Sequence, residues 1–343
     1  MDNKLIATVD IGSHSCILLI AAFEDAPTAE GEAPRKVLVP KLQKVEVCRL
    51  GEDIYEHGAI TEKRIKELEA IMTQFRMDLH ALGANLKAAV MTEAMRNAEN
   101  PDEVIAAVEK ALWIKPRIIS GEEEGKLTYR SVKEWHGEGL VTIDIGGGST
   151  ELSNGDTTFS IPVGALKMFK AMGPIPGPEY KKFVKETFKE VSFKGMTKKP
   201  VYLIGGTGTA LAMVYLNKQQ FDYKAIEGLE LSISDLDAVT TRISNLSKEL
   251  RAMLPGLENG RHEVIICGLF WLKSLLEKLR VETFKISTAG LRFGLLYEEP
   301  AVFPAKAGIS SCSQKVKGDV PMRGPCALST KSAKCCPPGS SPA

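Results

Sequence analysis

The chain has 343 residues, of which 44% are apolar and 25% charged, and its formal net charge is +1. That length exceeds what most single cores hold, so two domains are expected. The near-neutral balance argues against a dedicated nucleic-acid binder, which usually carries a basic surplus, so no nucleic-acid polymer is expected as a partner.

The opening "MDNKLIATVD" has no basic stretch ahead of a long apolar run and does not read as a signal peptide. The apolar run "CILLIAAF" at 16–23 is too short to span a bilayer, so the expectation is a cytoplasmic protein without a membrane partner. Strand patterns run over 4–10, 15–23 and 36–42, followed by the glycine-containing loop "CRLGEDIYEHGAI". Apolar residues at 65, 68, 71, 72, 75, 79 and 82 predict a helix over 61–82, with Thr61 as N-cap and Gly83 as the stop. A strand at 86–92, a helix at 101–112 opened by Pro101, the short strand "PRIIS" and a helix at 121–135 complete the first half.

The second half has strands at 140–145, 149–154 and 157–162, then helices at 164–172 and 178–191. A strand at 200–204, helices at 207–217, 234–253 and 261–279, a strand at 283–287 and a helix at 289–298 follow. Strands alternating with helices imply a mixed or parallel sheet covered by helices. Cys16, Cys48 and Cys267 are widely separated and read as buried thiols; four more cysteines lie in a Pro-, Gly-, Ser- and Lys-rich tail at 301–343, expected to be disordered.

Two stretches copy one pattern. "LIATVDIGSHSCILLIAA" and "GLVTIDIGGGSTELSNG" each run an apolar strand into Asp-Ile-Gly, a small polar turn and a second strand. Such a repeat suggests two related domains, 1–120 and 121–300, each offering an equivalent hairpin, with the last helix free to pack back on the first. Glycines at a strand end let backbone N–H groups converge on phosphate oxygens. Gly146, Gly147 and Gly148 could form such a cradle, with Ser149 and Thr150 as hydroxyl donors, and Gly12, Ser13 and Ser15 the matching half. A hairpin turn is the plainer reading of either loop alone. A third loop, "LIGGTGTALA", carries Gly205, Gly206 and Thr207 directly into a helix, but fits neither the Walker A nor the dinucleotide-binding pattern.

Asp10 and Asp144, facing each other across a cleft, would hold Mg²⁺ through waters. In "ISGEEEGKL" one of three glutamates could take a proton from an attacking water, although acidic residues also simply favour helix N-termini. Arg96 in "TEAMRNAEN" reads as a phosphate clamp, a carboxylate partner or a surface residue. From Lys167 to Lys199, nine lysines face three glutamates, which could steer a polyanion or merely solvate a helix face.

"TVDIGSHS", "TEAMRNAEN", "ISGEEEGKL", "TIDIGGGSTEL", "IPVGALKM", "LIGGTGTALA" and "STAGLRFGLLYE" resemble, in order and spacing, the exopolyphosphatase and guanosine pentaphosphate phosphohydrolase (Ppx/GppA) family over roughly residues 4–298. The resemblance implies an α/β fold of two ribonuclease-H-like domains of the actin/Hsp70/sugar-kinase superfamily, with the active site in the interdomain cleft. It implies Mg²⁺-dependent hydrolysis of inorganic polyphosphate or guanosine pentaphosphate. Carried over by position, Glu124 is the catalytic glutamate, with Glu123 its neighbour to test, and Asp10, Asp144 and Glu151 serve the metal. Gly12, Ser13, Ser15, Arg96, Gly146, Gly147, Gly148, Ser149, Gly205, Gly206 and Thr207 bind phosphate.

His14 stands where the family usually has Asn, and Phe293 replaces a carboxylate in the family's "GLREG" pattern. The chain is expected to be the short, two-domain form without the helical domain of long members. Exopolyphosphatase activity is the leading expectation. The alternatives are a guanosine pentaphosphate 5′-phosphohydrolase, a kinase or ATPase on the same fold, and a catalytically idle sensor of polyphosphate or alarmone nucleotides. A homodimer is compatible with the sequence and not established by it.

Overall fold

The structure, a computed structural model, describes residues 4–25, 36–257 and 260–298. The tail expected at 301–343, with its four cysteines, lies outside the described residues.

Among the described residues, β1 (Ile6–Ile11), β2 (Ser15–Asp25), β3 (Lys36–Val47), β4 (Asn85–Met91) and β5 (Arg117–Ile118) form one sheet, in the order β3-β2-β1-β4-β5. A second sheet contains β6 (Val141–Ile145), β7 (Thr150–Ser153), β8 (Thr158–Ile161), β9 (Val201–Ile204), β10 (Glu230–Ser232) and β11 (Thr283–Ile286), in the order β10-β11-β9-β6-β7-β8. β1 pairs antiparallel with β2 and parallel with β4; β6 pairs antiparallel with β7 and parallel with β9. The run β3-β2-β1-β4-β5 is thus repeated as β8-β7-β6-β9-β11, with β10 added at the edge. This is the ribonuclease-H-like order twice over. The duplicated sequence pattern is a duplicated topology.

The helices are α1 (Leu50–His57), α2 (Glu62–Leu82), α3 (Glu93–Asn97), α4 (Pro101–Leu112), α5 (Gly121–His136), α6 (Ala165–Met172) and α7 (Tyr180–Thr187). They continue with α8 (Gly205–Leu216), α9 (Tyr223–Ile226), α10 (Ile233–Ser244), α11 (Lys248–Ala252), α12 (Arg261–Leu279) and α13 (Leu291–Tyr297). Among the described residues, none is long and apolar enough to cross a membrane.

The long helices follow their periodicity. In α2 the Thr61 hydroxyl accepts from the Arg64 N–H, and Gly83 ends the helix in the left-handed region at φ +62°. Its buried stripe of Leu68, Met72, Phe75 and Leu79 joins Val104 and Val108 of α4 against Val9 and Leu18 of the first sheet. The second core gathers Trp271, Leu272 and Leu275 of α12 and Ala210 and Leu211 of α8 against Val141, Ile143 and Leu203. Cys16, Cys48 and Cys267 are free thiols buried in these cores.

Differences from the expected elements have local causes. The glycine-containing stretch after β3 folds as α1, because Arg49 turns left-handed (φ 50°) and buries Leu50 beneath the sheet. The single helix expected over 234–253 is two, α10 and α11. Ser247, extended at ψ 162°, breaks the run and accepts from the Leu250 N–H, a new cap worth about 1 kcal/mol. The helix expected over 178–191 closes at Thr187, and α9 and β10 were not anticipated.

α5 packs across β6, β7 and β8, whereas α13, the last described helix, returns to β1 and β2 and crosses α5. Glycines make both contacts possible. A Cβ on Gly125 would stand 2.5 Å from Thr158 Cγ2, and one on Gly121 would collide with the Ser160 side chain. At the crossing, a Cβ on Gly294 would strike the Leu127 carbonyl. The Thr8 hydroxyl ties α13 to β1 by donating to the Arg292 carbonyl at 2.9 Å. This packing seats the start of α5, with its glutamates, beside the ends of β1 and β6.

Candidate active site

The two hairpins present their turns by the same device. Gly12 N–H donates to the Ser15 carbonyl and Gly146 N–H to the Ser149 carbonyl, each at 3.0 Å. The next carbonyls point backwards, into helix starts. Gly146 O accepts from Ala165 N–H, and Gly147 O accepts from Leu166 and Lys167, all at the opening of α6. In the first half, Ser13 O accepts from Gly51 N–H, and His14 O from Cys48 and Arg49, at the opening of α1. A trans peptide sets N–H opposite C=O, so the amides of Gly147 and Gly148, and of His14 and Ser15, face away from those helices. Both turns therefore aim N–H groups outward, the arrangement that holds anions. The turns meet: a Cβ on Gly147 would lie 3.4 Å from Ser13 Cβ.

The third loop enters α8 at Gly205, φ +83°, where a Cβ would collide with the Asp144 carboxylate. Only glycine lets the helix start sit against that aspartate. Thr207 Oγ1 donates to the Ile145 carbonyl at 3.3 Å, which fixes α8 to β6. Thr150, offered as a phosphate donor, is instead core: its Oγ1 donates to Val163 O at 2.6 Å and accepts from Trp271 Nε1 at 3.0 Å.

Between the loops lies a cavity of about 150 Å³. Its walls include Asp10, Gly12, Ser13, Ser15, Glu124, Asp144, Gly146, Gly147, Gly148, Ser149, Gly205, Gly206 and Thr207. Besides Thr150, three of the proposed residues stand elsewhere. Glu151, opposite Asp144 in the β6–β7 register, is 2% exposed behind the wall and accepts from Ser160 Oγ at 2.8 Å. Arg96 Nη1 lies 3.1 Å from Glu124 Oε2 and donates to the Ile119 carbonyl at 2.9 Å, so it holds the glutamate rather than lining the cavity. Glu123 points away and pairs with Arg117 at the surface. Of the two, Glu124 borders the cavity and Glu123 does not.

Residues 36–301 match the family model described as the Ppx/GppA phosphatase family. The chain belongs to this family. Exopolyphosphatase 1 of Mycobacterium leprae (strain TN) is 25% identical to it over 307 residues, 85% of this chain and 88% of that protein. The bifunctional 3-dehydroquinate synthase/phosphatase of Fusobacterium nucleatum subsp. nucleatum is 27% identical over 301 residues, 80% of this chain and 44% of that protein. The solved structure of the Aquifex aeolicus Ppx/GppA enzyme superposes with a TM-score of 0.69 at 26% identity, over 85% of this chain and 98% of that one.

Electrostatics in this Ppx/GppA cleft is dominated by the burial of its carboxyls, with their mutual repulsion adding to it at Asp10, Glu124 and Glu151. Burial pushes Asp10 up to about 7, with Arg292 opposing and Asp144 adding to the rise. Asp144 rises to about 6 through burial against the pull of Arg292, and Glu151 to about 8 through burial and the Asp144 charge. Glu124 is raised well above the usual carboxylate range by burial and by Glu151, with Arg96 opposing. Arg292, itself buried, is held in place by Gln43 Oε1, which accepts from its Nε at 3.1 Å and Nη2 at 3.0 Å. An anion taken up among these carboxyls, once they are ionised, would meet negative charge that a cation could offset. The donor set is oxygen only, which suits a hard divalent ion. Among the described residues, no three His, Cys, Asp or Glu converge to ligate a metal directly.

Several cavity residues were not named from the sequence. Glu93 and Thr92 open α3, and Arg261 opens α12 beside Gly206. In the sequence, the segment containing Glu93 singles out only Arg96. Phe293 is buried among Ile6, Leu19, Leu38 and Leu296, with the Trp135 ring 5.0 Å away edge-on and the Arg292 guanidinium carbon 5.3 Å from its own ring centre. In the lysine-rich stretch, Lys170 pairs with Glu56 and Lys189 with Glu186.

Proposed function

We propose that this chain is an exopolyphosphatase, hydrolysing the terminal phosphoanhydride of inorganic polyphosphate and releasing orthophosphate. The observation that carries the reading is the pair of outward-facing amide turns closing on one small cavity with Glu124 in its wall. The terminal phosphate would lie between the turns, its oxygens met by the amides of Gly147, Gly148, His14 and Ser15. Glu124 accepts a proton from a water attacking in line, and the anhydride oxygen leaves on the shortened chain. Arg96 fixes the rotamer of that carboxylate. A magnesium ion held through water by Asp10 and Asp144 would neutralise phosphate charge and draw the neighbouring carboxyls, Glu151 behind the wall among them, toward their ionised forms. Arg292 offsets part of the charge of both aspartates.

One observation favours guanosine pentaphosphate as an alternative. A second cavity of about 360 Å³ adjoins the first, sharing His14, Ser15, Gly205, Gly206, Arg261 and Arg292. Val45, Val47, Met213 and Phe221 give it apolar walls and Gln43 and Gln219 polar ones, a lining suited to a nucleoside. The test is orthophosphate release with magnesium from long-chain polyphosphate and from guanosine pentaphosphate side by side. Glu124→Gln should fold and turn over at least roughly 100-fold slower. Release from neither substrate by the wild-type chain would overturn the hydrolase reading.

A further inference from the structure

Glu93 begins α3 at the end of β4, and its side chain crosses the cleft. Its Oε2 accepts from the Ser13 hydroxyl at 2.8 Å, and its Oε1 from Asn97 Nδ2 at 2.7 Å. On the far side it packs directly on Gly148, where a Cβ would collide with both carboxylate oxygens. One carboxylate thus touches both turns at once: Ser13 of the first half and Gly148 of the second. Ser13 and Asn97, its side-chain donors among the described residues, are both neutral.

An acceptor pair of this kind, lodged between two outward-facing amide turns, has the chemistry of a bound oxyanion. We propose that Glu93 is an internal occupant of the anion cradle, which a phosphate must displace to bind and which returns to help expel orthophosphate. The proposal rests on the cradle being a phosphate site. It makes Glu93 a specificity-determining residue: it weakens the hold on free orthophosphate, the product, more than on a longer chain that has further contacts to offer. Glycine at 148 is then required because the occupant lies against its α-carbon.

The test is titration of the full chain with inorganic phosphate, in magnesium, by calorimetry. Glu93→Gln keeps the size and an acceptor for Ser13 but removes the charge; Glu93→Asp keeps the charge on a shorter arm, and thermal melts establish that each variant is folded. Removing a negative charge so close to a bound anion should tighten phosphate binding by about tenfold or more in Glu93→Gln, with Glu93→Asp staying within about threefold of wild type. Where the chain turns over polyphosphate, Glu93→Gln should show a lower KM and deeper inhibition by orthophosphate. Unchanged or weaker phosphate binding in a folded Glu93→Gln would overturn the proposal, as would equal tightening in both variants. The titration needs no turnover, so it stands apart from the hydrolase reading. Phosphate binding without hydrolysis would sink that reading alone, and no binding by any of the three proteins would sink this proposal.

Discussion

Arg96 holds Glu124 from behind. One guanidinium nitrogen, Nη1, reaches Glu124 Oε2 at 3.1 Å and the Ile119 carbonyl at 2.9 Å, pinning the start of α5 to the end of α3. The pair is mostly shielded from solvent, with side-chain exposures of 22% and 13%. It therefore escapes most of the screening that makes surface pairs weak. A clamp aimed at phosphate would present its charge to the cavity; this one presents it to Glu124.

The first prediction concerns that pair. Arg96→Ala should lower kcat by roughly 10- to 100-fold, the rate equivalent of ~1.5–3 kcal/mol for a hydrogen bond to a charged group, with little change in KM. Arg96 opposes the rise in the Glu124 pKa, so its loss raises that pKa further. A base must be ionised to act, so the acid limb of the kcat–pH profile should move to higher pH. A profile that drops uniformly without moving would mean that Arg96 is only structural.

The second follows from the buried carboxyls. Asp10, Asp144 and Glu151, at about 7, 6 and 8, bind protons more tightly in the folded chain than unfolded carboxyls near 4 do. Raising the pH strips protons that folding favours, so each group costs stability progressively between its unfolded and folded values, and fully above the latter. With chelator present, the melting temperature should fall by roughly 5 °C or more between about pH 5 and pH 8. Magnesium should flatten that fall. A melting temperature that rises across the window would refute the assignment.

The residues found by reading the chain and those missed differ in one physical respect. A backbone cradle needs consecutive residues, so Gly146–Gly148 and the Asp-Ile-Gly turns show their chemistry in a short stretch, and duplication doubles the signal. Glu93 reaches Ser13 across 80 residues and Arg292 reaches Gln43 across 249. Neither pairing has any local pattern. Thr150 misled for a related reason: it sits beside the cradle in sequence, but the β alternation turns its hydroxyl into the core toward Trp271. Likewise, Glu123 and Glu124 are alike in a helix-opening run, and only the position of Arg117 on one side and Arg96 on the other separates them.

The third prediction tests the crossing of α5 and α13. A Cβ on Gly294 would meet the Leu127 carbonyl, a backbone group that no rotamer change can move aside. Gly294→Ala should cost ~1–3 kcal/mol, toward the upper end, although alanine is the better helix former. Urea unfolding measures it. A stabilised Gly294→Ala protein would mean that the two helices are not so closely apposed.

The last concerns Glu227, far from the cradle in sequence and linked to it by hydrogen bonds. Its carboxylate accepts from His136 Nε2 at 2.7 Å, Ser287 Oγ at 2.9 Å, Thr288 N–H at 2.7 Å and Thr288 Oγ1 at 2.6 Å. The Thr288 carbonyl in turn accepts from Arg292 Nη2 at 2.9 Å, so Glu227 sets the turn that carries the arginine lying near Asp10 and Asp144. Burial works to raise the Glu227 pKa, but these donors outweigh it and hold it below the usual range. A depressed carboxyl adds stability above its unfolded pKa and loses it as the pH falls through the folded one. Glu227→Gln should therefore cost about 2 kcal/mol at neutral pH, with the gap to wild type narrowing as the pH drops below about 4. Because Arg292 is positioned through Thr288, the same variant should lower kcat while the Glu124-dependent acid limb stays in place. An equal loss of stability at pH 3 and pH 7 would show that shape, not charge, is what Glu227 contributes.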